Sequence, residues 1–413
     1  MSAMKQDKKK EANVPNLRFP GFEGEWEEKK LESIATFFSG GTPKTTVKKY
    51  YNGNIPFIRS GEINSDSTEL YISKEGLKNS SAKLINKGDL LIALYGATSG
   101  EIAISKIRGA INQAILCVST VQNKLFIQAV WLKYIDKILQ NYLQGGQGNL
   151  SANIIKHLKF HFPNNDEQNK IATFISLLDK RISTQNKIIK QYKSLIKELS
   201  EKIFSRSFHF KDTVGNDFPN WEDKVLGEIG ESFNGLSGKT KEDFGKGKLY
   251  IQYKQIFDSP IIDVLNCGLV NITRVEFQNK VQFGDIFFTV SSETPDEIGM
   301  SSVLLDKVSE MYLNSFCFAY RVFSFDILNP LFASYLFRCS LFRDKLIRIA
   351  QGSTRYNISK VEFMKLKISL PSIREQVIIA SFLSTLDEKI KIEKKMLEQY
   401  ANQRNYLLYR MFI

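Results

Sequence analysis

Residues 166–203 decide the fold, and they read DEQNKIATFISLLDKRISTQNKIIKQYKSLIKELSEKI. Apolar residues recur there in alternating steps of four and three, which is the spacing of a helix that packs along a partner helix. The last forty residues repeat this spacing with a more interrupted seam. The pattern predicts two long helices that contact each other through the seam positions Ile171, Ile175, Leu178, Ile182, Ile189 and Tyr192 in the first and Ile379, Leu383, Leu386, Ile390, Leu397 and Tyr400 in the second.

Both helical stretches belong to a repeat that covers nearly the whole chain. Trp26-Glu27-Glu28-Lys29 returns as Trp221-Glu222-Asp223-Lys224, and Glu167-Gln168 at the start of the first helix returns as Glu375-Gln376. The offset between matched residues grows from 195 to 208 along the chain, as insertions in the loops of the second copy would produce. The sequence therefore predicts a tandem duplication of a unit of about 200 residues.

Each repeat begins with short strands and ends with its long helix. Apolar runs such as 90–95 and 286–290 stop at glycine or serine clusters, which is typical of strands separated by turns. We predict an α+β fold in which two repeated α/β domains are separated by two long antiparallel coiled-coil helices, with a pseudo-twofold relation. The alternative is a pair of helices that only cap the core of their own domain. The predicted segments are a flexible basic N-terminus (1–16), a first domain (17–165), a first helix (166–207), a second domain (208–373) and a second helix (374–413).

The composition is that of a folded protein with a basic surface. Of the 413 residues 43% are hydrophobic, and 57 Lys and Arg against 44 Asp and Glu give a net charge of +13. A positive surface attracts polyanions and favours nucleic acid as a partner, although lysines that only serve solubility would give the same charge. The sequence has no apolar run of bilayer length, and its lysine-rich start is unlike a signal peptide. We therefore expect a cytoplasmic protein without membrane contact.

Motifs that would carry catalysis are missing or incomplete. Gly238-Lys239-Thr240 resembles the end of a phosphate-binding loop, but Phe233 stands where the first glycine of that motif belongs. His157 and His161 have metal-ligand spacing for a helix, yet residues 158–163 read as a strand, where that spacing separates the two rings. The four cysteines are widely spaced, and no Asn-Pro-Pro-Tyr or Asp-Pro-Pro-Tyr tetrapeptide of adenine methyltransferases occurs. We predict no catalytic residue, no metal and no cofactor bound by this chain.

Hydrogen-bonding side chains are concentrated in glycine-rich loops of both repeats. The loop 39–46 (SGGTPKTT) combines glycine amides, hydroxyls and a lysine, a mixture suited to phosphates. Arg59 follows a predicted strand and has the side chain best matched to guanine. The predicted DNA-contacting residues are Thr42, Lys44, Thr45, Arg59, Ser60, Thr98, Asn112, Gln113, Gln147 and Asn149 in the first repeat and Lys239, Gln252, Tyr253, Lys254, Ser291, Ser292, Arg355, Tyr356 and Asn357 in the second.

In the order of its short motifs along the sequence, the chain resembles the specificity subunits of type I restriction–modification systems. The motifs are Trp26 with Leu31, Gly40-Gly41-Thr42-Pro43, Lys87-Gly88-Asp89, Ile111-Asn112-Gln113 and the helix start Pro163 with Asp166-Glu167-Gln168. The second repeat departs from the pattern, with Gly235-Leu236-Ser237-Gly238-Lys239 in place of Gly-Gly-Thr-Pro.

The resemblance implies two target-recognition domains, each of which reads one half of an asymmetric bipartite DNA target. It implies helices that set the spacing and dock methyltransferase subunits, two for each chain, and further restriction and translocase subunits in the complex. Adenine-N6 methylation, cleavage, S-adenosylmethionine, ATP and Mg would then belong to those partners.

Two other functions compete with this interpretation. One is a non-catalytic duplicated scaffold for protein partners, whose basic charge serves only solubility. The other is a catalytic fusion of methyltransferase and recognition parts, which the missing tetrapeptide disfavours. Binding to random duplex DNA at increasing salt discriminates the scaffold, because a scaffold has no steep salt dependence.

Overall fold

The computed structural model describes residues 13–142, 149–352 and 354–413. Residues 1–12 of the predicted N-terminal segment, and Gln147 among the predicted contact residues, lie outside the described part. The chain divides into two compact units, unit 1 from Met1–Asn186 with Lys395–Ile413 and unit 2 from Lys187–Lys394. Each long helix therefore contributes one part to each unit.

Unit 1 consists of short strands, four short or medium helices and parts of the long helices. Its strands are β1 (Glu27–Lys30), β2 (Ala35–Ser39), β3 (Tyr51–Ile58), β4 (Leu70–Ile72), β5 (Lys83–Ile85), β6 (Leu90–Ala93), β7 (Ile102–Ile104), β8 (Gly109–Ile111), β9 (Ile115–Thr120) and β10 (Lys159–Phe162). Its helices are α1 (Leu31–Ile34), α2 (Lys74–Lys78), α3 (Lys124–Tyr142), α4 (Ala152–His157) and the first half of α5 (Asn165–Phe204).

Unit 2 repeats this order with additional strands and helices. Its strands are β11 (Glu222–Val225), β12 (Gly230–Asn234), β13 (Phe244–Ile251), β14 (Gly268–Val270), β15 (Ile286–Thr289), β16 (Ser291–Ser292), β17 (Ser301–Val303), β18 (Met311–Leu313), β19 (Cys317–Val322), β20 (Ala350–Gln351), β21 (Tyr356–Ile358) and β22 (Lys367–Leu370). Its helices are α6 (Leu226–Ile229), α7 (Tyr253–Asp258), α8 (Pro330–Leu336), α9 (Ser340–Ile349), α10 (Lys360–Met364) and the first half of α11 (Ile373–Met411).

The sheets confirm the duplication that the sequence predicts. A four-stranded sheet has the order β2-β9-β6-β7 in unit 1 and β12-β19-β15-β17 in unit 2. A second sheet has the order β4-β3-β8-β5 in unit 1 and β14-β13-β18 in unit 2. In both sheets one strand pair is parallel, β3 with β8 in unit 1 and β13 with β18 in unit 2. The two-stranded pairs β1-β10 and β11-β22 bring the start of each domain to the strand before its long helix.

The long helices are antiparallel where they meet within unit 1. Asp179 of α5 forms an ion pair with Arg404 of α11, and the Arg181 guanidinium lies 4.7 Å from the centroid of the Tyr400 ring. From the first contact to the second, the residue number rises in α5 and falls in α11, so the two helices run antiparallel. The predicted α+β fold with two long antiparallel helices is confirmed, and all twelve predicted seam residues are buried or half-buried.

The ends of the seam do more than join the two helices. Ile171 and Ile175 belong to the apolar core of unit 1, and Ile379 and Leu383 belong to that of unit 2. These four residues therefore pack into the domain cores, and their part in a helix–helix interface stays a prediction. The first turns of each long helix lie directly on a domain, so their apolar face is buried by the nearest apolar surface, which is the domain core.

One glutamine in each repeat fixes the start of the long helix. Gln168 Nε2 donates to the carbonyl of Pro163 at 2.9 Å, and Gln376 Nε2 donates to that of Pro371 at 3.0 Å. Each glutamine also accepts a backbone N–H from the residue before a helix, Asn123 at 3.3 Å or Asn329 at 2.9 Å. Both glutamines are buried, where an unpaired amide would be costly, and this explains why the glutamine recurs. Among the described residues, no helix is long and apolar enough to cross a membrane.

Candidate nucleic-acid interface

The two glycines of the first loop serve close backbone packing. Gly40 N–H donates to the Asn112 carbonyl at 3.2 Å, and Gly41 N–H donates to the Ile111 carbonyl at 3.3 Å. A Cβ at Gly40 would overlap the Ile111 carbonyl, so only glycine fits there. The expectation that these amides bind phosphate is wrong, because both are used inside the protein.

The packing of the glycines brings three predicted contact residues together. Thr42 Oγ1 donates to Gln113 Oε1 at 2.7 Å, and both side chains are exposed. Asn112 Oδ1 accepts the N–H of Ala114 at 3.1 Å, so this side chain shapes the turn. Lys44 and Thr45 follow as exposed residues in the same loop. The Thr42–Gln113 pair therefore presents a hydroxyl and a carboxamide to solvent from a closely packed base.

Unit 2 has the same scaffold although its sequence departs from Gly-Gly-Thr-Pro. A Cβ at Gly235 would overlap the Asn314 carbonyl, and Leu236 N–H donates to the Leu313 carbonyl at 2.7 Å. Asn314 Oδ1 accepts the N–H of Phe316 at 2.9 Å, as Asn112 does with Ala114. Asn314 is therefore the counterpart of Asn112. The sequence analysis missed it, although Leu313-Asn314 repeats the apolar–Asn step of Ile111-Asn112.

The side chains on this scaffold differ between the two units. In unit 2 the Ser237 backbone exchanges two hydrogen bonds with the Gln278 carboxamide, at 3.1 and 2.9 Å. In unit 1 the corresponding loop is tied by Thr42 and Gln113 instead. A glutamine carboxamide thus fastens this loop in both units, but it comes from different segments, and it contacts the Thr42 hydroxyl in unit 1 and the Ser237 backbone in unit 2.

Arg59 is held by two carboxylates of its own domain. Its Nε and Nη2 donate to the two oxygens of Glu62 at 3.1 Å each, and Nη2 also donates to Glu69 at 2.6 Å. Burial alone would raise the pKa of Glu62, but the Arg59 side chain and the backbone N–H groups of Glu69 and Arg59 lower it to about 2. Ser60 begins the short 3-10 turn Ser60–Glu62 that this pair closes. Guanine recognition by Arg59 would require it to exchange these carboxylates for a base.

An open groove in unit 2 gathers five of the predicted contact residues. The groove has a volume of about 450 Å³ and is lined by Tyr253, Lys254, Phe257, Ser291, Ser292, Glu293, Glu297 and Arg355. The Tyr253 hydroxyl donates to the Ser291 carbonyl at 2.9 Å and joins α7 to β16. Lys254 is 2.7 Å from Asp258 in an exposed ion pair. The groove therefore combines two aromatic rings, cationic groups and carboxylate acceptors, which suits base edges and phosphates together.

Neighbouring predicted residues lie around this groove. Gln252 is exposed and precedes α7, whereas Tyr356 and Asn357 lie on β21, opposite Ser292 and Ser291 of β16. Arg355 and Asn357 are exposed and Tyr356 is half-buried. The loop that carries Arg355 is thus fixed by strand pairing beside the groove.

Three residues predicted to contact DNA are largely buried. Ser291 and Ser292 are each 7% exposed and form β16, which pairs with β21. The Lys239 side chain is 6% exposed and forms an ion pair with Glu276. The side chains of these three residues offer little surface for DNA, and their predicted contacts stay predictions. Lys239 instead fastens its loop to the segment that follows β14.

The remaining predicted residues are separated from these clusters in the chain. Thr98 ends the 3-10 turn Gly96–Thr98 and is half-buried, and Asn149 is exposed before α4. His157 ends α4, and its Nδ1 lies 2.8 Å from the Asn153 carbonyl, while His161 lies on β10. Across residues 13–142, 149–352 and 354–413 no group of three or more His, Cys, Asp or Glu is arranged to hold a metal.

Comparison with known proteins shows the class. A sequence model of the type I restriction modification DNA specificity domain matches residues 23–193 and 219–400. The chain therefore belongs to this family and contains two such domains. It is a specificity subunit of a type I restriction–modification system, with two domains for DNA target recognition.

Two relatives of this class match the chain, one over most of its length and one over about half. The type I restriction enzyme MjaVIII specificity subunit of Methanocaldococcus jannaschii is 22% identical over 421 residues, with coverage of 97% of this chain and 95% of the relative. The EcoR124I/EcoR124II specificity subunit of Escherichia coli is 28% identical over 211 residues, 47% of this chain and 51% of that one.

Solved structures show the same fold. The S subunit of a type I restriction–modification system from M. genitalium superposes with a TM-score of 0.57 at 15% identity, covering 97% of this chain and 99% of that chain. A second chain, from a structural study of complex assembly and conformational transition of the type I R-M system, also has a TM-score of 0.57. It is 16% identical, and the match covers 95% of this chain and 98% of that chain.

Proposed function

We propose that each domain reads one half of an asymmetric bipartite DNA target and that the long helices set the distance between the halves. The observation that carries this proposal is the common scaffold with unlike side chains. Gly40 packs against the Ile111 carbonyl and Gly235 against the Asn314 carbonyl, both at the turn that begins with Asn112 or Asn314, while the side chains beside them differ. Two domains with different readers select two different half-sites, so the target is not a palindrome.

Charge supports contact with the DNA backbone. The chain carries +13, and exposed Lys44 lies in the same loop as Thr42. Backbone contacts position a protein on the duplex, and side chains such as Gln113 and Arg355 then discriminate bases. We assign the first role to the exposed lysines and the second to the Thr42–Gln113 pair and the groove beside Tyr253.

The chain directs chemistry that its partners perform. Two methyltransferase subunits dock on the long helices, and restriction and translocase subunits complete the complex in the cytoplasm. These partners bind S-adenosylmethionine, ATP and Mg, methylate adenine at N6 and cleave DNA, while this chain supplies no catalytic group and no cofactor site. The likeness of the fold to a chain from a study of complex assembly of the type I R-M system supports assembly of this chain with partner subunits.

Selection from a random duplex library tests the proposal. The chain, assembled with its methyltransferase subunits, is expected to enrich duplexes with two unlike short motifs at one fixed separation. The affinity for random duplex should fall steeply with salt, since each neutralised phosphate releases counterions. Enrichment of no motif, together with a flat salt dependence, would favour a protein scaffold and refute DNA selection.

A further inference from the structure

The carboxylate at the start of the first long helix is neutralised by an arginine from the same chain. Glu167 is fully buried, and Arg18 binds both of its oxygens through Nε and Nη2 at 2.7 Å each. The same guanidinium donates to the backbone carbonyls of Glu23 at 2.9 Å and Gly24 at 2.7 Å. A bidentate pair of this kind offsets the cost of a buried charge.

The equivalent carboxylate of the second repeat has no such arginine. Glu375 holds the same place at the start of α11 and is 4% exposed. Within the described residues its Oε2 is buried and has no hydrogen-bond partner. Burial raises the pKa of Glu375, while Trp221 and His209 act in the opposite direction. The second repeat thus keeps the acid and lacks its bidentate cation.

The sequence explains the loss of the arginine. Arg18 precedes Phe19-Pro20, but Asp217 precedes Phe218-Pro219. Five residues separate Pro20 from Trp26 and include the carbonyls that hold Arg18, whereas Asn220 alone separates Pro219 from Trp221. Both the cation and the loop that positions it are therefore absent from the second repeat.

A pocket lies where the missing arginine would be. Its volume is about 300 Å³, and its lining includes Arg206, His209, Asp217, Trp221 and Glu375. The Arg206 guanidinium lies 5.9 Å from the centroid of the Trp221 ring, and its Nη2 donates to Ser369 Oγ at 3.2 Å. It makes no hydrogen bond to the unpartnered Oε2 of Glu375. The unpartnered Glu375 carboxylate favours a flat cation that donates hydrogen bonds in its own plane, as Arg18 does to Glu167.

We propose that this pocket binds a guanidinium group and is filled by an arginine side chain of another polypeptide in the complex. Residues 1–12, 143–148 and 353, which lie outside the described part, include no arginine, so they cannot supply the group. That a partner chain supplies the arginine rests on the proposed function. That the pocket binds a guanidinium group does not. In unit 1 the same site is closed by Arg18.

Arginine amide tests the pocket on the full chain, with lysine amide as the control for charge. At 20 mM, arginine amide is expected to raise the Tm of the wild-type chain by roughly 2 °C more than lysine amide. Asp217 itself lines the pocket, so Asp217→Arg places a guanidinium there without the loop of unit 1. This variant should have a higher Tm and lose the response to arginine amide. Glu375→Gln should also lose the response. An equal response to arginine amide in wild type and both variants would overturn the proposal, and Asp217→Arg decides if Glu375→Gln does not fold.

Assembly with the methyltransferase subunits tests the source of the arginine. Asp217→Arg should weaken assembly about tenfold, whereas Asp306→Arg makes the same charge change at an exposed position of unit 2 and should leave it unchanged. If arginine amide binds but Asp217→Arg assembles like wild type, the partner-chain source is wrong. A wild-type chain that does not assemble at all would contradict the proposed function instead, and the arginine amide result would still stand.

Discussion

Lengthening both long helices by one heptad should move the two half-targets apart by a fixed number of base pairs. The insertion duplicates residues 180–186 in α5 and residues 388–394 in α11, which end where the chain passes from one compact unit to the other. These heptads are matched in the repeat, and each carries one apolar and one polar seam residue, Ile182 with Gln185 and Ile390 with Glu393. Because the apolar seam positions repeat every seven residues, an insertion of seven residues leaves the spacing of the seam intact. Each unit should therefore keep its own helix contacts.

The size of the shift follows from helix geometry. Seven residues at 1.5 Å each add about 10 Å, and this length equals about three base-pair steps of 3.4 Å. The nonspecific spacer should therefore grow by about three base pairs while both half-site motifs stay the same. Three steps also rotate the duplex by about 100°, so the lengthened protein should bind its new target more weakly than the wild type binds its own.

Selection from a random duplex library reads out both the motifs and their separation. Duplication of residues 180–186 alone is the matched control, because it shifts the helices out of register and should abolish selection of any bipartite target. Unchanged half-sites at an unchanged separation in the double insertion would refute the role of the helices as a ruler.

Three further perturbations follow from the described contacts. Arg18→Met leaves the Glu167 carboxylate buried without its counter-charge and should destabilise unit 1 by about 3 kcal/mol in urea unfolding, and no measurable change would contradict the pair. The pKa of Glu62 is lowered to about 2, so its stabilising contribution is complete above about pH 4.5 and is lost as the pH falls towards 2. Arg59→Gln should remove most of this acid dependence in pH-dependent thermal unfolding, and an unaltered profile would count against the ion pair. Lys44→Ala should weaken binding to all duplexes alike and reduce the salt slope by about one, whereas a loss confined to one sequence would assign Lys44 to base recognition.

The parts of the fold with regular patterns were predictable from the sequence. The alternating spacing of Ile171, Ile175 and Leu178 indicated a long helix, and the repeat indicated two related domains. The spacing could not show that Ile171 and Ile175 also pack into a domain core, because periodicity identifies the apolar face and not its partner. The same limit applies to Ile379 and Leu383.

The candidate site was harder to predict because exposure depends on contacts distant in sequence. Lys239 was a reasonable candidate by type, but Glu276 lies 37 residues further along and buries it in an ion pair. Ser291 and Ser292 are polar residues, and nothing in the local sequence shows that both are buried in a strand that pairs with residues 356–357. Thr42 and Gln113 were both predicted, yet only the fold shows that they form one hydrogen-bonded pair.

Mapping N6-methyladenine across the host genome, with and without this gene, tests most directly whether the chain selects an asymmetric bipartite target. We expect one methylated motif to disappear with the gene and to consist of two unlike halves around a spacer of constant length. Replacement of residues 17–163 by the corresponding part of another specificity subunit should then change one half and leave the other intact. A methylation pattern that does not depend on the gene, or a replacement that alters both halves, would contradict two independent readers on one chain.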